Sequence, residues 1–164
     1  MKHIQFDPEP NGFYGAYWPC QGADCAIIAM LGDDPEDHMA RSAVKWLLGQ
    51  GVSVLTMSPA KKDYSHHNYP LERVEAAIAW LTAHGNRKVG IAGASTTGTL
   101  ALTAASYFPA LTLTTAMTAS DFVWQGFAQG DRDGCKEWPI PGVLAGLRGR
   151  GQAHRGQDEL PQDL

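Results

Sequence analysis

The chain has 164 residues, of which 44 % are hydrophobic and 18 % charged, with a formal net charge of −4 and an isoelectric point near 5.8. That length suits one domain burying about two-thirds of its unfolded surface, and the composition is globular rather than disordered. The acidic balance argues against nucleic acid or an anionic membrane as the main partner.

The start, Met1-Lys2-His3-Ile4-Gln5-Phe6-Asp7, has no apolar core of signal-peptide length. No run approaches the roughly 18 apolar residues of a membrane span. Cys20, Cys25 and Cys135 are an odd set without CxxC spacing, so neither a disulfide frame nor a zinc site is expected. Free thiols in a reducing cytoplasm are the plain expectation.

Residues 2–18, rich in aromatics and glycine, are expected to add one or two antiparallel strands at the edge of a sheet. Cys25-Ala26-Ile27-Ile28-Ala29-Met30-Leu31 is the first apolar run of buried-strand type. It meets Gly32-Asp33-Asp34-Pro35-Glu36-Asp37, which predicts a turn, an Asp34 N-cap and a proline at the first helical position. Met39, Ala43, Val44, Trp46 and Leu47 then recur at helical spacing until Gly49 and Gly51. Helix capping accounts for the acids of this loop, whose spacing makes no metal-ligand set.

The second strand is predicted over Val52–Met57, closed by Pro59. A polar loop through Tyr64, His66, His67 and Asn68 leads to Pro70, another early-helix proline. Leu71, Val74, Ala77, Ile78 and Leu81 mark one apolar face until Gly85. A third strand, Lys88–Ala92, runs into the small-residue turn Gly93-Ala94-Ser95, followed by a helix that can pack Leu100, Ala101, Ala104 and Ala105. The run Leu111–Met117 is β-rich through its threonines. Alternating strands and helices predict an α/β fold with a mostly parallel sheet and helices on both faces.

After Trp138 the pattern changes, and residues 139–164 are polar and glycine-rich. The expectation is a core over 1–138 and a flexible tail over 139–164, with at most a turn of helix near Val143 to Leu147.

The chemistry concentrates at Gly93-Ala94-Ser95-Thr96-Thr97-Gly98. A serine between a central strand and a helix, glycine two residues before it and nothing bulky nearby, matches the strained elbow that presents a nucleophile in α/β-hydrolases. It departs from G-x-S-x-G, since Thr97 holds the second glycine's place. The same stretch fits half of a phosphate-cradling loop, but Thr99 stands where lysine is required and Leu100 where Ser/Thr is. Gly90 and Gly93 do not make a dinucleotide fingerprint, so no cofactor is expected. An ordinary tight turn, with Ser95 capping the helix, is the plain structural alternative. If Ser95 is the nucleophile, the Thr96 N–H is the expected oxyanion donor, with a second from the loop near Gly32 or Asp33.

From about Cys25 to Trp138 the chain resembles the C-terminal domain shared by acyl-CoA thioester hydrolases and bile acid-CoA:amino acid N-acyltransferases, within the α/β-hydrolase superfamily. The resemblance rests on Leu31-Gly32-Asp33-Asp34-Pro35-Glu36-Asp37, His66-His67-Asn68-Tyr69-Pro70-Leu71-Glu72, the Ser95 turn and Ser120-Asp121-Phe122-Val123-Trp124-Gln125-Gly126. It implies a serine or cysteine attacking an acyl thioester or ester, and Ser95 is the matching position.

Such a fold supplies nucleophile, acid and histidine in that order. The only histidine beyond Ser95 is His154, inside the polar tail. Asp121 is either an acid at an unusual position or the cap of the next turn. His66 and His67 lie in a loop expected near the site and are candidates for the substrate pocket, while His3, His38 and His84 suit the surface or helix ends. The fold is therefore expected to lack its last strands, as a reading-frame change near Pro139 would produce. Two readings remain: a serine hydrolase of acyl esters or thioesters working through acyl-Ser95 and slowed by loss of its C-terminal base, or a non-catalytic truncated remnant that dimerises or binds a small acyl ligand. The uncovered sheet edge after 111–117 predicts a homodimer in either case.

Overall fold

The computed structural model describes residues 2–31, 34–58 and 69–121. Within them lie β1 (Ile4–Phe6), α1 (Pro8–Asn11), β2 (Gly15–Trp18), β3 (Cys25–Met30), α2 (His38–Gly49), β4 (Ser53–Met57), α3 (Glu72–Ala83), β5 (Lys88–Ala94), α4 (Thr96–Tyr107) and β6 (Leu111–Met117). The strands form one sheet in the order β1-β2-β4-β3-β5-β6. β1, β2 and β4 are joined antiparallel, and β4, β3, β5 and β6 run parallel. This is the mostly parallel α/β sheet that the alternating periodicity predicts, with the early aromatic segment as its antiparallel edge.

Every residue of β4 is buried, as expected of a parallel strand covered on both faces. On one face Ile28, Leu55, Val89 and Ile91 pack against Val74, Ala77, Ile78 and Leu81 of α3 and Leu100, Ala101 and Ala104 of α4. On the other, Ala16, Trp18, Ala29 and Val54 pack against Val44 of α2. Helices thus cover both faces. Among the described residues no helix is long and apolar enough to cross a membrane.

Three local expectations are corrected. Asp34 is not the N-cap of α2; that role belongs to Asp37, whose carboxylate accepts the Ala40 N–H at 2.8 Å. Asp34 instead folds back on its own turn, accepting from the Glu36 N–H at 2.9 Å, which delays the helix by three residues. The buried side of α2 is Ala40 and Val44, with Leu47 and Leu48 half-buried. Met39 and Trp46 are exposed, at 60 % and 66 %. They are spaced seven apart, two helical turns, but on a different stripe from Ala40 and Val44, which alone meets the sheet. Pro70 also precedes α3 rather than opening it, its carbonyl accepting the Arg73 N–H at 3.1 Å.

Residues 139–164 lie outside the described residues, as does Cys135. Cys20 and Cys25 are free thiols.

Candidate functional site

The parallel strands β3, β5 and β6 end side by side, and Ser95 stands just past the end of β5. Its backbone, φ 53° and ψ −123°, lies in a region that costs a non-glycine residue roughly 1–3 kcal/mol and persists only where the surroundings impose it. Here they do. The Ser95 N–H donates to the Met117 carbonyl of β6 at 2.8 Å, and the Ser95 carbonyl accepts the Thr99 N–H of α4 at 3.1 Å. The side chain does not cap α4, and a capping residue takes extended backbone instead. The plain helix-cap alternative for Ser95 is therefore not what the chain adopts. The exposed hydroxyl is left free at the carboxyl edge of the sheet, without a hydrogen-bond partner among the described residues.

Glycine at 93 is required by space. A methyl group there would come within 2.1 Å of the Thr97 carbonyl oxygen and 2.8 Å of the Gly98 nitrogen. The first turn of α4 therefore packs directly on the backbone of β5. Gly98 serves the other side, where a methyl group would lie 3.1 Å from the Met117 carbonyl and 3.2 Å from the Ala119 side chain. The second glycine of the turn is thus displaced by one position, and it admits β6 and its continuation against the helix start.

Thr97, in the place where the elbow pattern has glycine, is buried at 4 % exposure. Its Oγ1 accepts the Ala94 N–H at 3.0 Å and lies 2.6 Å from the Met30 carbonyl of β3 and 2.8 Å from that of Ala94. Thr99 reaches the opposite way, its Oγ1 accepting the Ser120 N–H at 3.0 Å. Between them Thr118 has a left-handed φ of 49°, and the chain turns over the elbow. Sequence reasoning missed the roles of both threonines; the signal available for Thr97 was a hydroxyl residue where a glycine was expected.

Thr96 is the first residue of α4, so its N–H has no acceptor one turn back inside the helix and points out of the helix start. Asp121 is exposed and follows Ser120, at the same end of the sheet as Ser95. Gly32, Asp33, His66, His67 and His154 lie outside the described residues. His84 ends α3, its Nδ1 2.7 Å from the Trp80 carbonyl and its ring stacked on Trp80. His3 stacks on Trp18 at 4.2 Å and meets Glu36 at 3.1 Å, and His38 opens α2. None of these three bonds to Ser95. Among the described residues no three His, Cys, Asp or Glu side chains gather as a metal ion would need.

Tyr69, two residues after His67 in the sequence, enters the core. It is 2 % exposed, and its hydroxyl has no hydrogen-bond partner among the described residues. Burial holds the phenol proton well above its ordinary pKa, only partly opposed by the Arg73 guanidinium, which lies 5.6 Å from the ring centre.

No protein-family model matches the chain, and no curated protein does. Solved structures do. An esterase of Pyrococcus furiosus superposes with a TM-score of 0.56 at 19 % identity, over 72 % of this chain and 48 % of its own. A cold-adapted esterase from an Arctic intertidal metagenomic library gives 0.53 at 17 %, over 61 % and 52 %. The chain thus spans about half the length of both esterases. A protein of unknown function from Agrobacterium tumefaciens, described as a candidate α/β-hydrolase, gives 0.58 at 14 %, over 94 % of this chain and 81 % of its own. With its strand order and the strained serine between β5 and α4, the chain has the α/β-hydrolase fold.

Proposed function

We propose that this chain is a serine hydrolase of acyl esters or thioesters that works through an acyl-Ser95 intermediate. The observation that carries this reading is the backbone of Ser95: a strained, exposed serine, clamped by neighbours on both sides, whose hydroxyl does nothing structural. Strain of this kind is retained where it serves a site. The Ser95 oxygen would attack the acyl carbonyl, the thiol or alcohol leaving with a proton, and water would then release the acid. The Thr96 N–H is the oxyanion donor in this reading, with Gly32 or Asp33 supplying the second.

The acid and base are proposals of chain order. Asp121 and His154 are the positions after Ser95 from which they would come, while His66 and His67 are assigned to the substrate pocket. The resemblance to acyl-CoA thioester hydrolases and N-acyltransferases favours a thioester substrate, and the two esterases of like fold favour an ester. No cofactor, metal, nucleic acid or membrane enters this mechanism, and a cytoplasmic setting suits its free thiols.

A second reading has its own support. No histidine bonds to Ser95 among the described residues, which favours a non-catalytic relative that holds a small acyl ligand. Mass spectrometry after incubation with acyl-CoA and aryl esters separates the two. An acyl group on the peptide holding Ser95, absent from Ser95→Ala, supports the hydrolase. Ligand retention without acylation supports the second reading.

A further inference from the structure

Thr97 does what no glycine in its place could do. A hydroxyl has one proton and two lone pairs, and this one is placed to use both kinds of site. It accepts the Ala94 N–H at 3.0 Å, immediately before the strained serine. Its proton is shared between the Ala94 carbonyl at 2.8 Å and the Met30 carbonyl at 2.6 Å. Ala94 is the last residue of β5 and Met30 the last of β3. The register pairs Met30 with Gly93, so the hydroxyl adds a link just where the ladder between the two strands stops. Beyond Met30 the chain continues towards Asp34, whose carboxylate is itself held by the Tyr14 hydroxyl at 3.3 Å.

The opposite side of the turn is closed separately. The Ser95 N–H is bound by Met117, and Ser120 is bound by Thr99. The turn is therefore gripped from β6 through backbone and from β3 through one side chain. Beyond the Met30–Gly93 pairing, the second grip among the described residues is the Thr97 hydroxyl.

We propose that Thr97 is a positioning residue whose hydroxyl locks the turn carrying Ser95 to the end of β3, so that Ser95 and Met30 move as one unit. The consequence for reactivity rests on the reading of Ser95 as nucleophile; the mechanical role does not. A reaction centre tolerates little misplacement, and a shift of about 1 Å costs on the order of 10²-fold in rate. The threonine thus replaces the close backbone packing of a glycine with a specific bond between two strands.

The test is residue-resolved amide hydrogen exchange on the full chain, with fluorophosphonate labelling of the same samples, in the wild type, Thr97→Val and Thr97→Ser. Valine keeps the shape and removes the hydroxyl; serine keeps the hydroxyl. The proposal expects Ala94 exchange to rise roughly tenfold in Thr97→Val, the effect of losing one hydrogen bond. It expects β1 and β2 amides to stay unchanged and Thr97→Ser to restore Ala94. An equal rise in every slow amide would mean general destabilisation and would overturn it, as would no rise at Ala94. The labelling rate of Ser95 is expected to fall at least tenfold in Thr97→Val and to recover in Thr97→Ser. Equal labelling of all three, with Ala94 loosened, would overturn the positioning claim. A wild type that does not label at all defeats the nucleophile reading instead, and exchange at Ala94 alone then decides the role of Thr97.

Discussion

Gly93 and Thr97 share one space: any side chain at 93 would overlap the Thr97 carbonyl, at 2.1 Å from the first carbon added. The obstacle is helix backbone, which has no rotamer to yield. Gly93→Ala is therefore expected to destabilise the fold by about 3 kcal/mol or more, the upper range of overpacking. Gly98→Ala meets its neighbours at 3.1–3.3 Å and is expected to cost about 1 kcal/mol. Urea denaturation compares the two, and equal costs would mean the helix start is not pressed against β5.

Ser95 stores strain that glycine would release. In the backbone it adopts, φ 53° and ψ −123°, glycine carries no steric penalty. Ser95→Gly is expected to raise stability by about 1 kcal/mol, the strain relieved less the extra chain entropy of glycine. Ser95→Ala keeps the strain and is expected to match the wild type. Thermal unfolding of the three proteins reads the difference.

The unpartnered Tyr69 hydroxyl gives a test with a pH signature. Tyr69→Phe removes a buried polar group that lacks a bond among the described residues, so stability is expected to be unchanged or to rise by about 1 kcal/mol. The unfolded chain gives up this proton near pH 10 while the folded chain keeps it. Tyr69 therefore contributes its full stability below about pH 10 and loses it as pH rises further. The alkaline limb of stability against pH should be shallower in Tyr69→Phe, and an unchanged limb would show that the phenol is not held protonated.

β6 ends the sheet among the described residues, and it offers neither charge nor proline from Leu111 to Ser120. Leu113 and Met117 are exposed at 55 % and 45 %. Strand edges without such guards pair with other strands, and two copies of β6 can pair antiparallel about a two-fold axis. Light scattering at micromolar concentration is expected to give a dimer, and Leu113→Lys a monomer. A wild-type monomer would refute the pairing.

Much of the frame was legible because parallel strands buried on both faces read as apolar runs: Cys25–Leu31, Val52–Met57 and Lys88–Ala92 all stand out. Ser95 was legible for a different reason, the smallness that a crowded turn demands. What escaped was three-dimensional. The face of α2 was misread because Met39 and Trp46 are as apolar as Val44, and only the sheet decides which stripe is buried. Asp34 and Asp37 are equally good caps by residue type, and the turn around Pro35 selects the second. Thr97 looked like a flaw in a glycine pattern, since its partner Met30 is distant in sequence.

An activated nucleophile at Ser95 is read out by intact-mass measurement after exposure to a fluorophosphonate. The expected result is one adduct per chain, mapped to the peptide containing Ser95 and absent from Ser95→Ala. No adduct on the folded wild type, or the same adduct on Ser95→Ala, would contradict it.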